Sequence, residues 1–425
     1  MSRKNALIGP VASVAGLFLV SLLALLCACV SVLGVKLSNA PVVPWEQLIP
    51  LGVYTAGVPV LLVWLKIIGW KGDAGLVGAV LLLSGVGLVI QFRMGSFSQG
   101  LAAPLALAPF PLGLAAFALG VSVMGKGRGT WLGSMGWLAY LAALGVLAAM
   151  LVLGRRYRGG MYMPGNMNPS EIVKPLLVFF LAAYLSRRQK EFSETQNGIP
   201  VPPFMALLGL VLLWGVPMLA TLALKDLGLM MLLNAILIVM LFAVARSTGY
   251  LAIGLAAVTA AGFGVQLLSA NAQARFDVWL NPFADPTGKG WQILQALSAM
   301  YSGGMWGAGL GSGVPQAVPI VTSDFVYAAV AEEIGLIGCG LLLMVYAVLF
   351  SRGFRAAGAA RTPFERLLCV GLTGSLAVQT LLNVAGVTKA LPMTGITLPL
   401  ISHGGSSLIT TLLVAGLIAG VSDRK

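Results

Sequence analysis

Apolar runs close to 20 residues long recur along the whole chain. That is the length a helix needs to cross a hydrocarbon core of about 30 Å. A backbone N–H or C=O inside lipid has no water to bond. A spanning segment therefore satisfies its own polar groups as a helix, or closes with others into a barrel. A transmembrane barrel shows short segments of alternating hydrophobicity, and the sequence has none. The runs predict an all-α fold, a polytopic transmembrane helical bundle of about 10–12 helices. The remaining composition agrees. Of 425 residues, 58% are hydrophobic and 9% charged, whereas a soluble domain carries about 25% charged residues.

Twelve hydrophobic segments are expected, over 8–34, 47–68, 75–92, 101–124, 131–153, 168–186, 203–222, 226–244, 249–269, 325–350, 365–387 and 395–421. Pro104, Pro109 and Pro111 interrupt the fourth. Each proline removes a backbone donor and bends a helix, so this piece is expected to be kinked or re-entrant. The first segment is too long for a signal-peptide core and reads as a retained helix. Cys27, Cys29, Cys339 and Cys369 all lie in apolar runs. They read as small buried hydrophobes, with no metal-ligand spacing and no disulfide framework.

The net charge of +13 would point to nucleic acid in a soluble protein. Here the basic residues sit between apolar runs and report topology, so no nucleic-acid partner is expected. With the N-terminus in the cytoplasm, sixteen Lys and Arg residues fall on the cytoplasmic side, among them Arg187, Arg188, Lys190, Arg352 and Arg355. Eight fall outside: Lys36, Arg93, Arg155, Arg156, Arg158, Arg275, Lys289 and Lys389. That excess follows the positive-inside rule. It predicts both termini in the cytoplasm and the long 270–324 loop outside. Arg155, Arg156 and Arg158 break the trend. They suit an anionic ligand at the outer membrane surface, or equally a local lipid-headgroup contact.

Ionisable residues within membrane segments are costly and are candidates for function. Glu171 and Lys174 share a face of the sixth segment, which opens Asn168-Pro169-Ser170-Glu171. They are either a self-neutralising pair or a meeting point for a polar ligand. Asp226 opens the eighth segment, where a carboxylate also complements a helix dipole. The outer loop carries Asp285-Pro286-Thr287-Gly288-Lys289-Gly290-Trp291-Gln292 and then a glycine-rich run, Gly303 to Gly313. These glycines predict tightly turned backbone, with a short helix ending in a ligand-lining loop. Glu332 and Glu333 lie in the tenth segment. The twelfth holds Pro399, Ser402, His403, Gly404, Gly405 and Ser406, which predicts a helix break at membrane depth, tolerated where backbone faces protein or a wet cavity. His403 is the only histidine, so a zinc site is not expected.

These stretches together resemble the SEDS family of RodA/FtsW-like proteins. The family's QPSE-x-x-K appears as Asn168 to Lys174, and its P-D-L-G as Asp226 to Gly228. Its D-P-x-G-x-G-[YW]-Q is Asp285 to Gln292. The T-D-F to E-E-x-G-x-x-G stretch is Ser323 to Gly338, and the family's ending runs from Asn383 to Ser407. Asn168, Lys225, Thr322, Ser323 and His403 depart from the usual residues. The resemblance covers 151–425 as a SEDS-like core that includes the extracytoplasmic loop 270–324. Residues 1–150 are N-terminal transmembrane helices partly outside the pattern, with five segments before the QPSE-like stretch where the family has three.

The resemblance implies a peptidoglycan glycosyltransferase that polymerises lipid II at the outer face of the cell membrane, in elongation, division or sporulation. It also implies a class B penicillin-binding protein as partner. Transfer requires a base to take the acceptor hydroxyl's proton, and Asp285 is the candidate. The leaving lipid pyrophosphate calls for cations. Lys174, Arg155, Arg156, Arg158, Lys289 and Lys389 are candidates, with Glu171, Ser402 and Ser406 as further substrate contacts. A divalent cation, Mg or Mn, could share that task. Attack opposite the leaving group would invert the anomeric centre. Two other readings stay open: a lipid-linked precursor flippase, and a non-catalytic activator of the partner transpeptidase. The Gly-rich setting of Asp285 favours the enzyme.

Overall fold

The computed structural model describes residues 49–97, 107–157, 160–163, 168–196, 199–268 and 270–423. The expected 8–34 segment, Cys27, Cys29 and Arg158 lie outside the described residues. Each of the other expected segments contains a helix. Among the described residues seven helices are long and apolar enough to cross a membrane: Ile49–Ile67, Ala74–Arg93, Trp131–Leu153, Phe204–Leu224, Leu227–Ala245, Val326–Gly358 and Pro363–Val387. Pro109–Met124 and Gly405–Val421 are apolar but shorter. Ser170–Arg187 is not among the seven because Glu171, Lys174 and Arg187 charge it. Short antiparallel hairpins, Arg155–Tyr157 with Gly160–Tyr162 and Thr195–Gln196 with Ile199–Pro200, lie in the connections. The protein is a polytopic helical membrane protein.

Two expectations need correction. The last helix starts at Gly405, not near 395. Residues 395–404 are irregular: Gly395 and Leu400 take φ of 75° and 68°, and Pro399 precedes Leu400. A helix cannot continue through left-handed residues beside a proline. The 270–324 stretch is not a plain loop either. It contains the helices Ala270–Leu280 and Trp291–Gly303, the second of them the short helix that the glycine pattern led us to expect.

The chain forms two compact units, one of residues 1–126, 277–352 and 380–425, the other of 127–276 and 353–379. In the first, Gly405–Val421 packs on Pro109–Met124 through small residues. A Cβ on Gly416 would collide with the Phe117 backbone, and one on Gly120 would lie 2.7 Å from the Leu417 nitrogen. Without a hydrophobic drive between helices in lipid, such close approach supplies the packing energy. The Ala74–Arg93 helix starts on Asp73, whose Oδ1 accepts from the Leu76 N–H at 3.1 Å. Asp73 also pairs with Arg352 at 3.3 Å. In the second unit Gly136 meets Ala183, the Tyr140 and Phe180 rings lie 4.5 Å apart, and the Tyr140 hydroxyl donates to the Leu213 carbonyl at 2.7 Å.

Candidate functional site

The unit of residues 127–276 and 353–379 holds a buried polar cluster. Asn168 turns the chain into the Ser170–Arg187 helix, its Oδ1 accepting from the Ser170 N–H at 3.1 Å and from the Ser170 hydroxyl at 2.6 Å. One face of the first turns then carries Glu171 and Lys174, both buried. Lys174 Nζ lies 2.5 Å from Glu171 Oε2 and donates to Gln379 Oε1 at 2.9 Å. Asp226 caps the Leu227–Ala245 helix through the Leu229 N–H at 2.9 Å. It lies within electrostatic range of Lys174, Arg275 and Glu171. The sequence pairs Glu171 with Lys174 and leaves Asp226 as a helix cap; the fold brings them together and adds Gln379. Gln379 is one of several polar side chains on the Pro363–Val387 helix, beside Thr380 and Asn383, and its place in the sequence does not single it out.

The other unit holds the loop carboxylate. Asn281 Oδ1 accepts from the Phe283 N–H at 3.2 Å and starts a single 3-10 turn, Pro282–Ala284. The chain then folds back on itself: the Gly290 N–H donates to the Asp285 carbonyl at 2.9 Å, and Trp291 N–H to the Gly288 carbonyl at 3.2 Å. The Asp285 side chain is exposed. Its Oδ1 accepts from the Gly288 N–H and its Oδ2 from the Lys289 N–H, both at 3.0 Å. A side chain at 288 would displace the Asp285 carboxylate from its two donors, because a Cβ there would lie 2.7 Å from the Asp285 Cγ. The turn fixes the carboxylate's direction while the solvent side of each oxygen stays open. Lys289 is exposed beside it. Lys389, left-handed at φ 61°, accepts at its carbonyl from Trp279 Nε1 at 3.0 Å, which ties the 388–395 connection to the helix that leads into the Asp285 turn.

In the glycine-rich run after Trp291–Gly303, the N–H groups of Gly304, Gly307, Ala308, Gly309, Gly311 and Ser312 are taken up within the fold. The Val326–Gly358 helix breaks at Gly335, which sits at φ 68°, ψ −174°. The break frees the Glu332 and Glu333 carbonyls, and Ala308 and Gly309 donate to them at 2.8 and 3.0 Å. It frees the Leu336 and Ile337 N–H groups as well, and these donate to the Gly304 and Met305 carbonyls at 2.9 and 3.1 Å. Buried backbone groups must find partners, and loop and broken helix supply them to each other.

Residues 395–404 are laced in the same way. The Ser402 hydroxyl donates to the Ser323 carbonyl at 2.6 Å and accepts from the Leu398 N–H at 2.8 Å. His403 N–H donates to the Thr322 carbonyl at 2.7 Å. Asn383 Nδ2 reaches the Asp324 and Ile396 carbonyls at 2.9 and 2.7 Å. Ser402 is thus engaged as both donor and acceptor within the fold, while Ser406 stands half-buried in the first turn of the last helix. Arg155 is exposed on its hairpin, and the backbone of Arg156 follows it in the same strand. Cys339 and Cys369 are free and buried. Among the described residues no three His, Cys, Asp or Glu side chains converge as a metal group.

A model of the family described as cell cycle protein, FtsW/RodA/SpoVE, matches residues 112–425. The chain is similar to the peptidoglycan glycosyltransferase RodA of Mycobacterium tuberculosis (strain ATCC 25618 / H37Rv): 35% identical over 289 residues, 67% of this chain and 62% of the relative. It thus spans less than two thirds of that relative's length. Stage V sporulation protein E of Bacillus subtilis (strain 168) is 36% identical over 261 residues, 60% of this chain and 69% of the relative. A solved chain from a peptidoglycan synthase complex, studied for the coordination of polymerization and crosslinking, superposes with a TM-score of 0.64 at 28% identity. The match covers 83% of this chain and 98% of that one.

Proposed function

The chain belongs to the FtsW/RodA/SpoVE family of cell cycle proteins, and from that premise we propose that it is a peptidoglycan glycosyltransferase. It polymerises lipid II into glycan strands at the outer face of the cytoplasmic membrane, with both termini in the cytoplasm. The observation that carries this reading is the Asp285 carboxylate, exposed and held at both oxygens by the Gly288 and Lys289 N–H groups. A flippase or a passive activator has no evident need of a carboxylate so aimed.

The chemistry follows from the groups present. An acceptor sugar hydroxyl donates a hydrogen bond to an open side of the Asp285 carboxylate. As its oxygen attacks the anomeric carbon of the donor, its proton passes to Asp285. The bond from that carbon to the pyrophosphate oxygen breaks, and the configuration inverts. One base suffices and no covalent enzyme intermediate forms. A positioned base of this kind contributes about 10²–10⁴-fold. The departing pyrophosphate carries negative charge that cations stabilise. Lys289, beside Asp285, is the first candidate, with Lys389 and Arg155 as further ones. A divalent cation, Mg or Mn, carried in on the substrate phosphates would share this charge with the cationic side chains.

Lys174 has a different part. An ammonium has three N–H donors, and Glu171 and Gln379 take two of them. With Asp226 nearby, this is a built polar site that orients a sugar or phosphate oxygen through the remaining donor. Ser402 serves as a fastener of the broken segment. The similarity to a chain of a peptidoglycan synthase complex supports a class B penicillin-binding protein as partner, within a shell of membrane lipids. The test is glycan synthesis from lipid II by the purified chain. Wild type makes strands, and Asp285→Asn, which keeps the size but cannot take the proton, makes almost none. An Asp285→Asn chain that polymerises at the wild-type rate removes the assignment. A wild-type chain that only moves lipid II across the membrane makes it a flippase.

A further inference from the structure

Among the described residues, a buried cation of the unit that carries Asp285 comes from a part of the chain that the family model does not match. Arg93 ends the Ala74–Arg93 helix, upstream of the matched residues 112–425. Its side chain is 9% exposed, and the Glu333 side chain it meets is fully buried. Arg93 Nε donates to Glu333 Oε1 at 3.0 Å. Arg93 Nη2 donates to the Gly311 carbonyl at 3.1 Å and to the Gly313 carbonyl at 2.7 Å. The other Glu333 oxygen accepts from the Gly311 N–H. One guanidinium therefore holds a carboxylate on one edge and two loop carbonyls on another.

Charge neutralisation alone does not require this geometry. A lysine would neutralise Glu333 as a point charge, but it lacks the planar fork that reaches a carboxylate and two carbonyls at once. The carbonyls it would lose belong to the glycine-rich run that leaves the Trp291–Gly303 helix. That helix is seated closely at its end: a Cβ on Gly303 would collide with the Ala331 carbonyl, next to Glu332 and Glu333. Its other end is the Asp285–Gly290 turn. Arg93 thus fixes one end of a segment that presents Asp285 at the other. Two residues earlier, Gln91 Nε2 donates to the Thr322 and Ile401 carbonyls at 3.0 and 2.9 Å, so the same helix end fastens both irregular segments.

We infer that Arg93 is a positioning residue for the Asp285 loop: its guanidinium sets the Gly304–Gly313 backbone against Glu333 and thereby the seat of the helix that carries the base. The inference rests on the glycosyltransferase reading for its effect on rate, and on the hydrogen bonds alone for its effect on order.

The experiment uses the full chain in detergent and follows amide exchange at 285–313 alongside polymerisation of lipid II. Arg93→Lys keeps the charge and the fold. Exchange in both the 304–313 run and the 285–290 turn is expected to rise at least about tenfold. The kcat should fall about 10²-fold, the scale of a small misplacement of a catalytic group, with KM held within about twofold. Arg93→Met/Glu333→Gln removes both charges and leaves no unpaired ion, yet the Gly311 and Gly313 carbonyls still lose their donor. It should stay loose and slow. A double variant that regains wild-type protection and kcat makes the pair a charge bridge only and overturns the proposal, as does Arg93→Lys with unchanged exchange at 285–290. If wild type makes no glycan, the enzymatic reading fails, and the exchange at 285–290 still decides whether Arg93 positions that turn.

Discussion

The Lys174 ammonium donates to Gln379 Oε1 at 2.9 Å, joining helices whose contributing residues lie 205 positions apart. Its second partner, Glu171, is on its own helix one turn away. Gln379 takes a second of the ammonium's three donors, as a buried cation requires whether or not it meets a ligand, so variants must separate the two roles. Breaking one half of a buried pair costs about 3–5 kcal/mol because an unpaired charge remains, while removing both halves costs much less. Lys174→Ala is therefore expected to lose both activity and thermal stability. Glu171→Ala/Lys174→Ala should recover stability but not activity, because the polar site is gone. A double variant that polymerises at the wild-type rate makes the pair structural. Gln379→Leu removes the acceptor of Lys174 and keeps the ion pair; leaving a buried donor unsatisfied costs about 1–3 kcal/mol, so Tm should fall together with kcat.

Gly288 is the most informative position in the Asp285 turn. A methyl group there would lie 2.7 Å from the carboxylate carbon, so the side chain must swing off its two N–H donors. The turn is exposed, and Gly288→Ala should unfold nothing. Its kcat is expected to drop about 10²-fold, approaching Asp285→Asn, with KM nearly unchanged. Asp277→Asn, on the exposed side of the preceding helix, should retain most activity. Thermal melts of each variant separate loss of chemistry from loss of fold.

Topology is testable with single cysteines in a chain whose four native cysteines are replaced. Gln273 and Lys190 are both exposed in the fold. The charge asymmetry puts Gln273→Cys outside and Lys190→Cys in the cytoplasm. An impermeant thiol reagent added to intact cells should label the first alone, and the second only after permeabilisation. Labelling of both from outside would remove the proposed orientation, and with it the outer-face location of Asp285.

The helix pair Pro109–Met124 and Gly405–Val421 approaches closely at Gly120 and Gly416. Gly416→Leu places a side chain where the Phe117 backbone stands, and overpacking of this kind costs about 1–3 kcal/mol or more. A lower Tm of the purified chain is expected. Gly145→Leu has nothing within 4 Å of the added Cβ and serves as the control. Equal melting of the two variants would mean that the close approach contributes no stability.

The sequence by itself determined the class of the molecule. Runs of apolar residues leave the backbone no choice but helix in lipid, so the expected segments and the observed helices coincide over most of the described chain. The D-P-x-G-x-G stretch also carried its own turn, because the contacts that hold Asp285 come from residues three and four positions on, Gly288 and Lys289. Local chemistry of that kind is written in the spacing. What only the tertiary structure decided is non-local. Nothing in the order of residues says that Arg93 meets Glu333, 240 positions away, or that Gln379 completes the Glu171–Lys174 pair. A linear division near residue 150 follows the motifs, while the contacts interleave the N-terminal helices with 277–352 and 380–425. The irregular 395–404 segment shows the same limit. Pro399 signals a break, but which carbonyls the freed groups reach depends on the neighbours that the fold supplies. Buried polar groups are matched by position in space, and a sequence fixes that only after every helix has found its place.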